Sequence, residues 1–145
     1  MQDESFRISR ADDRACITAL IHRYAYLARE LLDFDDMLPL FTNNAIIVMS
    51  NGEKIPANQL KKVLRGEEAK YIRHHVTTVD IRFDGPNDAH GQAFFIAGTN
   101  EAMPDHWGHW SDKYKRQNDG AWLICKRQIV SHGQSASGWR ARMYG

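Results

Sequence analysis

Only two cysteines, Cys16 and Cys125, occur in the 145 residues, so the chain has neither a paired redox motif nor a cysteine-based zinc spacing. Each sits among periodic apolar residues, which predicts two buried free thiols and fits a reducing compartment. Long apolar runs are also missing: the longest, Ala45-Ile46-Ile47-Val48-Met49, is far short of the roughly 20 residues a membrane helix needs. The first residues show no basic and then apolar stretch, so no signal peptide and no membrane partner are expected, and the expected location is cytoplasmic. A formal charge of +1 supplies no concentrated positive field, and no nucleic-acid partner is expected. There is no glycine-rich phosphate loop, nucleophile elbow or zinc-protease helix motif.

What is present is the composition of an ordinary globular domain, 43% hydrophobic and 26% charged. A chain of this length buries roughly 68–70% of its unfolded surface, enough to enclose a pocket without metal or disulfide. The near-neutral charge hides a split. Residues 1–112 carry 12 basic and 17 acidic side chains, whereas 113–145 carry 7 basic ones against Asp119 alone. The basic stretch is expected either at a pocket mouth or against the acidic body of a neighbouring subunit.

Ser9 followed by Asp12 matches a capping-box variant, and apolar residues recur at Ile17, Leu20, Ile21, Tyr24, Leu27, Ala28 and Leu31. This predicts a long amphipathic helix, broken by Asp33-Phe34-Asp35-Asp36 and followed by a short helix or turn at Met37–Phe41. A strand is predicted from Ala45 to Ser50, a hairpin at Asn51-Gly52, and a second helix from Ala57 to Arg65 closed by Gly66. Tyr71–Phe83, Ala89–Met103, His106–Gln117 and Ala121–His132 read as an antiparallel meander. In the first of these, Ile72 and Val76 share a face with His74, while Val79, Ile81 and Phe83 share one with His75. Either a bulge near Thr77-Thr78 switches the face or both faces are buried. Helices in the first half and strands in the second predict an α+β fold. Residues 1–9 are an extension, 10–132 the domain, and 133–145 are expected to be a flexible or partner-dependent tail.

Three groups of residues could carry chemistry. His74-His75 lies in a predicted interior strand, where an apolar surround and a carboxylate neighbour would make imidazole a general base. Glu30, Asp33, Asp35 and Asp36 close the first helix, with Glu30 at the border of its apolar stripe. His106 and His109 stand three apart within Asp105–Asp112, a metal-pair spacing on a helix; in a strand they face opposite sides, so no metal is expected. Trp107 and Trp110 in that segment read as core or as the wall of an apolar site.

Several strings, in order, resemble the SnoaL-like branch of the nuclear transport factor 2-like superfamily. They are Arg23-Tyr24-Ala25 on the first helix; Glu30-Leu31-Leu32-Asp33-Phe34-Asp35-Asp36-Met37 leading to Leu40-Phe41-Thr42-Asn43-Asn44-Ala45; Arg73-His74-His75-Val76-Thr77; and the hairpin from Trp110 to Arg127 through Asn118-Asp119-Gly120-Ala121-Trp122-Leu123-Ile124. The resemblance spans residues 10–132. It implies a cone-shaped α+β barrel of the cystatin-like kind, with a curved mixed or antiparallel sheet wrapped around the first helix and an apolar cavity inside. In the family's dehydratases a histidine opening the first long strand works with an aspartate ending the first helix, assisted by a helix tyrosine.

Carried over by position, these roles fall on His74, on Glu30 or Asp33, and on Tyr24, with glutamate where the family pattern has its first aspartate. Trp110, His75, Asn100 and His132 are candidate substrate-binding groups. The resemblance thus implies a dehydratase, isomerase or cyclase acting without cofactor or metal on a small, cyclic, apolar molecule. His74 would remove the proton, Glu30 would orient it, and Tyr24 would hydrogen-bond the developing oxyanion. The alternatives are a non-catalytic small-molecule binding or assembly domain, and a protein like the small subunit of a ring-hydroxylating dioxygenase. A homodimer or homotrimer is expected, with Trp107, Trp110 and Trp139 as candidates for its surface.

Overall fold

The structure, a computed structural model, describes residues 10–28, 34–63 and 69–145. The first helix, α1 (Ala11–Leu27), buries Ile17, Leu20, Ile21, Tyr24 and Ala25, the stripe its 3.6-residue period dictates. No side-chain bond from the N-cap residue Arg10 caps its first turn, where Asp12 and Asp13 complement the helix dipole. The Ser9 of the expected capping box lies outside the described residues. The helix start is tied down instead by long-range bonds: Asp13 Oδ1 accepts from the Trp122 indole at 3.1 Å, and Arg14 donates to the Ile81 carbonyl at 3.1 Å.

A one-turn helix, α2 (Phe34–Met37), and a 3-10 turn at Leu38–Leu40 lead into β1 (Phe41–Val48). Pro39 sits at the start of that turn, where its missing N–H costs nothing. The Asn51-Gly52 hairpin forms as expected, with Gly52 at φ 90°, and returns as β2 (Lys54–Pro56). The predicted second helix is a 3-10 stretch, Ala57–Val63, kinked at Gln59; its expected Gly66 stop lies outside the described residues.

The meander follows as β3 (Ile72–Phe83), β4 (Asp88–Thr99), β5 (His106–Arg116) and β6 (Trp122–Gln134). All six strands form one sheet in the order β2-β1-β6-β5-β4-β3, with β1 parallel to β6 and the other pairs antiparallel. The fold is an α+β cone, the inner sheet face curving around α1. A register shift between Val76 and Thr78 confirms the bulge, so Ile72, His74, Val76, Val79, Ile81 and Phe83 all face the core side.

Two expectations are corrected. The 133–145 segment is docked, not loose: β6 runs on to Gln134, and α3 (Trp139–Tyr144) buries Trp139 against the barrel. Its anchors are the Asp105 carboxylate, which accepts the Trp139 and Arg140 amides, and the Glu101 carboxylate, which takes two bonds from Arg142 at 2.9 and 2.8 Å. The cysteines are not a buried pair either, since Cys16 lies on the exposed face of α1 and Cys125 is partly exposed. Among the described residues, no helix is long and apolar enough to cross a membrane.

Candidate functional site

The inner face of the sheet carries a shell of aromatic rings whose positions follow from strand parity. On β5 the inward residues are His106, Gly108, Trp110, Asp112 and Tyr114. Phe95 projects from β4 and stacks on Trp110 at 4.9 Å, and Tyr24 of α1 meets Trp110 edge-on at 5.0 Å. His74 joins this shell from β3, 5.2 Å from Phe95 and 5.3 Å from Trp110 between ring centroids. Around the shell, Leu27, Leu40, Ile72, Val76 and Val79 are apolar yet only partly buried by the described residues.

Three polar groups are set into this apolar shell. His74 is partly exposed as a residue, but its Nδ1 is shut off from solvent and has no hydrogen-bond partner. Burial, then the nearby charges of His106 and Arg127, push its pKa down to about 3, so the imidazole is neutral at any physiological pH.

The second group is Arg127, fully buried, with its Nε and Nη2 donating to the two oxygens of Asp112 at 2.8 and 2.7 Å. Tyr114 donates to the same carboxylate at 2.8 Å. The guanidinium lies 4.2 Å from both the Tyr24 and the Trp110 ring centres, and its Nη1 is buried without a partner. Burial alone would lower its pKa; the charge of Asp112 outweighs that and holds it above the ordinary arginine value. Burial raises the pKa of Tyr24, which keeps its hydroxyl protonated.

The third group is Asp105 with His106, a pairing that the sequence reading did not draw although it named His106. Asp105, fully buried, accepts from His106 Nδ1 at 2.8 Å and from Thr99 Oγ1 at 2.8 Å, as well as from the Trp139 and Arg140 amides at 2.6 and 3.1 Å. Burial would raise the pKa of this carboxyl, but the four donors overcome it and hold it below its usual value. The His106 ring lies 6.2 Å from that of His74.

Of the residues expected at the site, His74, Tyr24 and Trp110 are brought together. Glu30 and Asp33 lie outside the described residues. His75 points to the outer, exposed face, as the alternation of β3 requires. Asn100 is exposed in the turn after β4, its side-chain oxygen accepting the Lys70 amide at 2.8 Å. His132 is also on the outer face, where its Nε2 lies 2.7 Å from His109 Nδ1. These last three do not converge with His74. His106 and His109 face opposite sides of the sheet and cannot share one ion. Trp110 and Trp139, proposed from sequence for a subunit surface, are 1% and 7% exposed within this chain, because inward strand parity buries the first and docking of α3 the second.

Nor does the basic stretch form one positive field. Arg127 is neutralised inside, and Arg142 is paired with Glu101, while Lys113 and Lys126 line an outer polar groove of about 460 Å³ together with Asp80 and Arg82.

The inward turn of Arg127 has an identifiable cause. Tyr114 pairs with Ile124 but Lys113 with Lys126, so Cys125 is an extra residue that shifts parity, sending Arg127 rather than Lys126 to the core. The signal legible beforehand was Asp112, which shares its strand face with Trp110 and Tyr114 and, as a buried acid, needs a cation.

Comparisons with known proteins agree with this architecture. A family model described as a SnoaL-like domain matches residues 9–128. A protein from Novosphingobium aromaticivorans, provisionally described as a scytalone dehydratase, superposes with a TM-score of 0.74 at 17% identity, covering 87% of this chain and 88% of that one. The hexachlorocyclohexane dehydrochlorinase LinA-type3 from Novosphingobium barchaimii gives 0.73 at 13% identity, over 87% and 90% of the two chains. An NTF-2 like protein of unknown function from Pseudomonas aeruginosa gives 0.67 at 16% identity, over 81% and 99%. At such identities the likeness shows the fold alone. No curated protein matches the sequence.

Proposed function

The chain belongs to the SnoaL-like domain family, and we propose that it is a cofactor-free proton-transfer enzyme, a lyase of the dehydratase type or an isomerase or cyclase. Its substrate is a small, cyclic, mostly apolar molecule bearing a carbonyl or a hydroxyl beside one. The observation that carries this reading is the pair of buried nitrogens without partners, His74 Nδ1 and Arg127 Nη1, on two side chains that both pack against Trp110. A buried donor left unsatisfied costs about 1–3 kcal/mol, a cost that disappears when a ligand oxygen accepts from it.

The chemistry follows from those two groups. Negative charge builds on the carbonyl oxygen when the neighbouring carbon loses a proton, and preorganised donors in a dry site stabilise it far better than water does. Arg127 supplies a permanent cation, and a neutral His74 carrying its proton on Nδ1 supplies a second donor. Without a carboxylate bonded to it among the described residues, and with its pKa pushed to about 3, His74 is better suited to polarising the oxygen than to taking the proton. Tyr24 and Phe95 wall the apolar ring of the substrate. Support also comes from two structural neighbours described as a dehydratase and a dehydrochlorinase, both names of lyases. The test is hydrogen–deuterium exchange at the α-carbon of a cyclic ketone probe, 2-tetralone, in heavy water. Exchange faster than in buffer supports the reading, whereas a bound but unexchanged probe contradicts it.

The outer face fits the expected homodimer or homotrimer. Phe94, Ile96 and Met103 are exposed there, and with Trp107 they line an apolar groove of about 550 Å³, which we propose a second copy covers. Light scattering is expected to give a dimer or trimer that Ile96→Asp converts to monomer. A monomeric wild type at micromolar concentration contradicts this.

A further inference from the structure

We propose that the proton acceptor of this site is His106, oriented by Asp105, and that the C-terminal segment completes this dyad; the inference rests on the proton-transfer reading above. It differs from what the family resemblance implies, which places the base at His74 and its carboxylate at the end of α1.

The argument starts from the hydrogen bonds of Asp105. Its two oxygens receive four donors: His106 Nδ1 and the Arg140 amide on Oδ1, Thr99 Oγ1 and the Trp139 amide on Oδ2. An ionised carboxylate is acceptor-only, so the His106 bond is a donation from Nδ1–H. That fixes the tautomer. Nε2 then bears the lone pair, and it is the nitrogen left to accept a proton. The imidazole faces inward, its ring centre 5.9 Å from that of Trp139 and 6.2 Å from those of His74 and Phe95, so it borders the aromatic shell that carries the oxygen-binding donors. His74 has no such orientation, since nothing among the described residues bonds its Nδ1.

A carboxylate this well satisfied could serve only to pin the tail, and two of its four bonds do that. The remaining bonds are what a latch does not need. Thr99 comes from β4 and fixes Oδ2 independently of the tail, and the imidazole contributes a titratable nitrogen. Gly138 lets the tail approach, because a Cβ there would stand 2.5 Å from Asp105 Oδ2. The charged and titratable groups facing His106 are Asp105, Arg140 of α3 and His74 of β3.

In the step this arrangement supports, Nε2 takes the proton from the carbon next to the carbonyl. The C–H electron pair becomes the enolate double bond, and the carbonyl π pair moves onto the oxygen held by His74 and Arg127. Burial lowers the His106 pKa, and Asp105 offsets part of that by stabilising the imidazolium formed. The imidazolium then returns the proton, either to the γ-carbon of the dienolate when the substrate is a β,γ-unsaturated ketone, or to a hydroxyl on the β-carbon, which leaves as water. In both cases the oxygen pair re-forms the carbonyl and the enolate pair becomes the new C=C bond, the C–O bond breaking in the second. Both routes restore neutral His106, and no other reactant is consumed.

The experiment measures α-deuteration of 2-tetralone by the wild type, His106→Gln and Asp105→Asn, with probe affinity and melting temperature recorded for each. His106→Gln is expected to lower the exchange rate by about 100-fold or more, with affinity changed by no more than about threefold. Asp105→Asn is expected to do the same and to move the His106 proton to Nε2, visible in the 15N spectrum of the histidines, a change that mere loosening of α3 does not produce. The wild-type 15N spectrum needs no variant to fold: a Nδ1–H, Nε2-unprotonated His106 supports the assignment, and a Nε2–H form overturns it. A His106→Gln protein that exchanges within about threefold of wild type overturns the inference and leaves the proton-transfer reading standing. A wild type that binds the probe without exchanging it overturns that reading itself.

Discussion

Asp112→Ala is expected to lower the unfolding free energy by about 3–5 kcal/mol, a large share of the roughly 5–15 kcal/mol that holds a domain of this kind together. The cause is what it leaves behind. Arg127 and Asp112 are both fully buried and joined by two charge-assisted bonds, so removing the acid strands a guanidinium between the Tyr24 and Trp110 rings, with neither water nor a counter-charge. Tyr114 loses its acceptor at the same time. Replacing both charges, as Asp112→Leu with Arg127→Met, is expected to be milder than Asp112→Ala alone, because the desolvation of both ions is relieved together. Urea unfolding with an unchanged m-value measures both. A loss below about 1 kcal/mol for Asp112→Ala would mean that the pair is solvated and that Nη1 is not held in place.

The second large effect runs in opposite directions in stability and activity. His74→Phe preserves the ring that packs on Phe95 and Trp110 while removing the buried nitrogen that has no partner. Its melting temperature is therefore expected to equal or exceed that of the wild type, since an unsatisfied buried polar atom costs about 1–3 kcal/mol. Exchange of the ketone probe is expected to fall by about 100- to 1,000-fold, the usual cost of deleting one donor to a developing oxyanion. A gain in stability joined to a loss of turnover is the signature of a group kept for function at the expense of packing. If instead His74→Phe destabilises the fold and leaves exchange intact, His74 is a core residue.

Much of the cone was legible in the sequence because its cues are local. The stripe from Ile17 to Ala28 sets α1, Asn51-Gly52 sets a hairpin, and the clash of parity within Tyr71–Phe83 called for the bulge found at Thr77. The inward placement of His74 follows from the same alternation once the bulge is allowed and that of Tyr24 from the helix stripe, whereas Trp110, also offered from sequence for a subunit surface, is core. The groups that most sharpen the site depend on events that alternation does not encode. The extra residue at Cys125 turns Arg127 inward, so an arginine in a basic stretch becomes the partner of a buried acid. Asp105 precedes β5 and is not bound by its parity, which lets it bond its own neighbour His106 and capture a segment more than 30 residues away. That long-range capture is also why a tail rich in glycine and serine is ordered. The charge split visible at the outset is thus divided by the fold into one buried ion pair, one tail clasp and a set of outer lysines.

The central claim is that the inner face binds an oxygen-bearing ring and moves a proton beside that oxygen. Deuterium incorporation into 2-tetralone, followed by NMR at a protein concentration where quenching of tryptophan fluorescence shows the probe bound, tests it most directly. The account predicts incorporation confined to the α-carbon, faster than in buffer and abolished by a tight-binding phenol that occupies the same site. Saturable binding with incorporation no faster than in buffer would contradict it.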